Sequence, residues 1–242
     1  MPTQKRYVYK FGHNDNVQTG DDVWEGAADS AVELAAYNFP AAAAATTLVS
    51  SDTADALGNT GATSVEVWGV NSIGIEIHET VVPNGTTPVT LTNEFYRVYR
   101  VHVNSDGGNA NGPNVGEIDV RHGSTVADTL ARIEPGHGQT LMCIYTVPKD
   151  WRNAQITGWG ASVRAAAAAG AAAATVHLMM RSEGGSWRVK DIAELHSYGG
   201  MMHHMYDVPH PVRPGTDIRL MVASASASGI NVQGHFELEY TR

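Results

Sequence analysis

Short runs in which polar and apolar residues alternate with period two, each closed by Gly, Asn, Asp or Pro, recur along this chain and restrict it to strands. In GATSVEVWGV, Val65 and Val67 share one face of an extended segment, and GIEIHETVV continues with Ile75 and Ile77. Further on, FYRVYRVHVNS places Tyr96, Val98, Arg100 and His102 on one face and Phe95, Arg97, Tyr99, Val101 and Val103 on the other. HFELEY sets Phe236, Leu238 and Tyr240 against the polar residues between them. Side chains on successive residues of a strand point to opposite faces, so this pattern describes a sheet with one buried side. Many such runs separated by turn formers are the pattern of a β-sandwich or barrel. Outside the alanine runs no helix of three turns is predicted, and the expected fold class is all-β.

The expected organisation is an extended N-terminal arm over residues 1–24 and two β-sandwich domains of jelly-roll-like character, 25–125 and 126–242. Each half has about the 100 residues that one sandwich uses. A single continuous sandwich remains open on the same evidence of pattern. The arm carries Tyr7, Tyr9, Phe11 and Trp24 among turn formers. Termini fray unless they are tied down, so aromatic anchors there point to docking, either within the same chain or on a neighbour. On the second reading, removal of residues 1–24 leaves a soluble β-domain. The tract VRAAAAAGAAAATVHLMM has helical propensity but carries Gly170 at its centre, at a cost of about 1 kcal/mol against Ala. An uncapped helix of this length is marginal, and the tract is not read as a functional segment; the same holds for Ala41–Ala45.

A net charge of −9 with 16 Lys and Arg scattered along 242 residues gives no basic stripe, so nucleic acid is not an expected partner. Cys143 is alone, which excludes an intramolecular disulfide, and its apolar run TLMCIYTVP marks it as a buried thiol. The segment MPTQKRYVYKFG has no apolar signal-like core and no run reaches the roughly 18 residues of a membrane span. A protein made in a cytoplasm, with no membrane partner, is expected.

Catalytic signatures are missing: there is no G-x-S-x-G turn, P-loop, H-E-x-x-H or G-x-G-x-x-G opening a helix. No enzyme activity, cofactor or metal site is expected. The concentrated group is His196, His203, His204, Asp207 and His210, interleaved with Met201, Met202 and Met205. Histidine and carboxylate can hold a transition metal, but adjacent His203 and His204 face opposite sides of a strand and cannot share one ion. His204 and Tyr206 share one face, His203 and Met205 the other, so a polar edge strand or subunit contact is the favoured reading. Trp68, Trp151, Trp159 and Trp187 could line a sugar-binding face, against the commoner role of strand Trp in packing.

The strings YKFGHNDNVQTGDDVWEG, ETVVPNGTTPVTLTNEFYRVYRVHV and GHGQT give the chain its one family likeness. With Lys10-Phe11-Gly12, Asn14, Thr19-Gly20, Val23-Trp24, Gly26, Gly85-Thr86-Thr87-Pro88 and Gly138-Gln139-Thr140, it resembles structural proteins of tailed bacteriophages from marine and aquatic environments. The resemblance covers residues 7 to about 160 and is looser beyond. It implies a non-enzymatic virion component, made in the host cytoplasm, that decorates or cements a capsid. It would bind the major capsid protein or other virion proteins through the arm residues Tyr7, Tyr9, Phe11 and Trp24. A homo-oligomer, a trimer foremost, would multiply weak contacts. The alternative is a tail, neck or fibre adhesin that recognises a host glycan.

Overall fold

The computed structural model describes residues 5–27, 34, 36–165, 172–198, 200–227 and 229–241. Gly170 and most of the alanine tract, 166–171, lie outside them, as do residues 1–4 of the arm. The described chain is all-β, with antiparallel sheets. Its strands are β1 (Lys5–Val17), β2 (Thr46–Ser50), β3 (Ala62–Val70), β4 (Glu76–Val81), β5 (Val89–Thr90), β6 (Arg97–Asp106), β7 (Ile118–His122) and β8 (Thr129–Ile133). They continue with β9 (Ile144–Thr146), β10 (Arg152–Arg164), β11 (Ala173–Arg181), β12 (Arg188–His196), β13 (Met201–Pro211), β14 (Asp217–Ala225) and β15 (Ile230–Thr241). Two 3-10 turns, Glu25–Ala27 and Val126–Asp128, complete the list of regular segments among the described residues.

The chain separates into two compact units, one built from 1–37 with 142–242 and the other from 38–141. This differs from the tandem arrangement expected from the sequence, with divisions at 24/25 and 125/126. The physical reason lies in two strands. β8 pairs with β7 through Ile118↔Ile133 and Val120↔Ala131, and Arg132 reaches back to Asp119 with Nε at 2.8 Å and Nη2 at 3.0 Å from its two carboxylate oxygens. That buried two-pronged pair keeps residues up to 133 in the middle unit. β1, in turn, pairs along its length with β15, from Lys5↔Thr241 to Val17↔Ile230.

The arm is therefore the first strand of the discontinuous unit, docked within the same chain, the first of the two readings its aromatic anchors allow. Past β1 the chain crosses to the second sheet, where Val23 N–H donates to Leu220 O and Val23 O accepts from Cys143 N–H. Trp24 is 1% exposed and meets Tyr37 edge-on at 5.5 Å. Gly12 lies where a Cβ would stand 2.5 Å from both Cys143 N and Val23 O, so only glycine lets the two sheets approach there. Removal of residues 1–24 would thus strip a strand and a core tryptophan from the unit, contrary to the expectation for a detachable arm.

Among the described residues this unit has eight strands in two sheets, ordered β1-β15-β10-β13 and β12-β11-β14-β9. Counted along the unit, the first strand pairs with the eighth, the second with the seventh, the third with the sixth and the fourth with the fifth. A long hairpin folded over on itself produces that nesting. The period-two pattern decides which faces meet: Ile230, Val232, Phe236, Leu238 and Tyr240 of β15 are buried, and so are Ile156, Trp159, Ala161 and Val163 of β10. Full burial of an aliphatic or Phe side chain contributes about 1.5–3 kcal/mol. Cys143 sits in the same interior as the sequence predicts, its thiol donating to Gly234 O and pushed up by burial.

The middle unit has sheets ordered β5-β2-β7-β8 and β4-β3-β6, with Leu48, Val65, Val67, Phe95, Ile118, Val120 and Leu130 buried. The fully buried Asp55 accepts from Ser50 Oγ and from the backbone N–H groups of Ala62, Val115 and Gly116. One carboxylate thereby ties three loops together.

Candidate functional site

The sheet β1-β15-β10-β13 has an inner face turned to the core and an outer face whose residues fall into rows. In one row Phe11 opposes His235, His235 opposes Gly160, and Gly160 opposes His203. In the next, Tyr9, Glu237, Gly158 and Met205 line up, and Tyr7 and Glu239 begin a third. Tyr7 is 71% exposed, Tyr9 54%, Met201 64% and Met205 51%. Single exposed apolar residues are ordinary, but a cluster on one face marks an interaction surface. Tyr9 stacks on His235 with ring centres 5.4 Å apart and lies 5.9 Å from Phe11. At the rim Lys5 Nζ stands 2.7 Å from Glu239 Oε1.

Gly158 and Gly160 leave the middle of β10 without side chains on this face. Across that bare trough His203 and His235 approach to 5.1 Å between ring centres. The ligating atoms of His203, His235 and Glu237 all lie within 4.8 Å of one another. Partial burial, followed by the nearby His203, lowers the pKa of His235 and favours its neutral ring. Burial and then Glu237 raise the Tyr9 phenol.

Alternation sends His204 the other way, as the sequence predicts. Its Nδ1 lies 2.9 Å from Asp191 Oδ2, which also accepts from Trp159 Nε1 and Tyr206 OH, each at 2.9 Å. Burial alone would raise the Asp191 pKa; the bonds from Trp159, Tyr206, Ile192 and His204 together hold it low. Burial and the bond to Asp191 raise the Tyr206 phenol. The arrangement joins β12 to β13 and orients His204, but no nucleophilic side chain completes it among these contacts.

Of the four arm residues expected to contact a partner, the structure brings Tyr7, Tyr9 and Phe11 onto the outer face. Trp24 is corrected to a core residue, because the chain has crossed to the second sheet before reaching it. The histidine group is divided. His203 stands on the outer face, His204 and Tyr206 meet Asp191, His210 packs edge-on against Tyr206 at 4.5 Å, and His196 belongs to β12. Asp207 is exposed on β13. Sequence pattern alone does not single out His235 and Glu237. Their signal is present in HFELEY, where they alternate with the buried Phe236 and Leu238, but their nearness to His203 depends on pairing across β10. The four tryptophans do not form a sugar-binding face: Trp151 and Trp159 are 1% and 0% exposed. Trp68 stacks on His78, and Trp187 packs beneath Arg181 and Arg219.

No family model matches the chain, and no curated protein does so. Among solved structures, the 2.6 Å structure of infectious bursal virus-derived T=1 particles aligns over 99% of this chain and 69% of its own, at 10% identity and a TM-score of 0.17. A likeness that slight carries no argument about fold or function. No helix among the described residues is long and apolar enough to cross a membrane.

Proposed function

We propose that this is a non-enzymatic virion structural protein, a capsid decoration or cement protein of the tailed-bacteriophage kind, that seats on the shell through the outer face of β1-β15-β10-β13. The observation that carries the reading is the exposed set Tyr7, Tyr9, Met201 and Met205 on one face of a continuous sheet. Tyr and Met are enriched at protein interfaces and Tyr supplies large contact area at small entropic cost. The nested strand pairing supports reading the discontinuous unit as a jelly roll, an architecture common in capsid and lectin domains, and the middle unit as a second β-sandwich. Architecture alone does not assign function; the resemblance of the KFG and VW-x-G strings to phage structural proteins supplies the virion context. Copies arranged as a trimer would add the contacts of each face.

Quantitative mass spectrometry of purified particles tests the location, with hundreds of copies per particle expected. A count of a few dozen or fewer would move the protein to neck, tail or fibre. Binding of purified protein to shells lacking it tests the face: Tyr7→Ser with Tyr9→Ser should lower occupancy at least tenfold while leaving the fold intact by circular dichroism. Undiminished binding by that variant would overturn the assignment of this surface.

A further inference from the structure

We propose that His203, His235 and Glu237 form a binding site for a borderline divalent transition-metal ion, zinc foremost, on the outer face of the discontinuous unit. Two imidazole nitrogens and one carboxylate oxygen are a donor set that suits zinc, with a fourth position left for water or an incoming ligand. The three ligating atoms already lie within 4.8 Å of one another. Tetrahedral zinc with bonds near 2.0–2.1 Å needs its donors about 3.3 Å apart. Small rotations of exposed or half-exposed side chains close that gap.

Two further features point the same way. Gly160 is the spacer that admits the pair: a Cβ there would stand 2.5 Å from His235 Cε1 and 2.6 Å from Met202 O. Tyr9 stacks on the His235 ring and restrains its orientation. The sequence-adjacent His204 is excluded because it faces Asp191 on the opposite side of the sheet. The site draws its ligands from β13 and β15, which are separated by β10, so an ion would clasp the edge strand to the interior of the sheet. The site stands on these side chains alone and is independent of the capsid reading.

Full-length protein freed of metal with a chelator and titrated with zinc chloride at pH 7.5 in a calorimeter should bind one equivalent at micromolar or tighter affinity. Cobalt(II) at the same site should give a visible spectrum of low coordination number. His203→Ala, His235→Ala and Glu237→Gln should each weaken zinc at least tenfold, and Gly160→Ala should weaken it by displacing His235. His204→Ala and His78→Ala should leave binding unchanged. Because His203 is exposed on an edge strand, its variant is expected to keep the native circular dichroism spectrum, which separates ligand loss from unfolding. Two results would overturn the site: affinity no better than millimolar, or binding that survives His203→Ala combined with His235→Ala.

Discussion

Asp22 is wholly buried, accepts from Tyr37 N–H at 2.9 Å and lies 3.3 Å from the Arg219 guanidinium. Burial outweighs the arginine and pushes its carboxyl up to about 6 from 3.8. A carboxyl raised on folding binds its proton more tightly in the native state. Its contribution is therefore fully present below about pH 4 and is lost as the pH rises through about 6. A shift of that size corresponds to roughly 3 kcal/mol between the two ends of the window. His122 and His235 oppose it over part of the range, because burial lowers their pKa values and acidification must charge them. The difference between wild type and Asp22→Asn isolates the effect. Urea midpoints measured from pH 7 to pH 4.5 should favour wild type progressively on acidification, and parallel profiles would refute the assignment. The carboxylate itself could be read from GDDVW, but its burial could not, since that depends on a crossing from one sheet to the other.

Strands were the most legible features, and their partners the least. Alternation in HFELEY and GSWRVKDIAEL places β15 and β12 in the sequence, and Glu183-Gly184-Gly185 places the turn between β11 and β12, where Gly184 has φ of 68°. Pro209 and Pro211 in β13 withhold ladder donors and mark an edge strand, which is where the sheet order puts it. β1 was harder. Its alternation is irregular because Gly12 replaces an inward side chain and a bulge lies between Asn14 and Val17, so the run reads as loop-like. Its partner β15 lies more than two hundred residues away in the chain, beyond any local signal. The consequence is testable. Deleting residues 1–17 would unpair one edge of β15 along its length and uncover core around Gly12, in a domain of a kind that holds only about 5–15 kcal/mol in reserve. Failure to yield soluble protein with native near-ultraviolet circular dichroism is expected; a cooperatively folding product would show that β1 is dispensable after all.

The discontinuity of one unit and the continuity of the other set what fragments can fold. Residues 38–141 contain both sheets of the middle unit, its core from Leu48 to Ile133 and the Asp55 junction. The other unit needs β1 from one end of the chain and β9–β15 from the other. Composition could not reveal this, because both units use the same alternating strands and the same turn residues. The division expected near residue 125 followed a turn, HGST, that lies inside the middle unit between β7 and β8. A fragment of 38–141 should therefore unfold cooperatively in urea and give a dispersed amide spectrum. A fragment ending at 125 loses β8 and with it Arg132, so that Asp119 is uncovered and keeps the Arg121 guanidinium as its cation. Arg132→Met in the longer fragment separates the two causes. If it unfolds the fragment as fully as truncation does, the ion pair holds the sheet edge, whereas a stable variant assigns the loss to the missing strand. Equal stability of 38–141 and 38–125 would place the boundary back at the turn and overturn the β7–β8 pairing as the reason for the middle unit's extent.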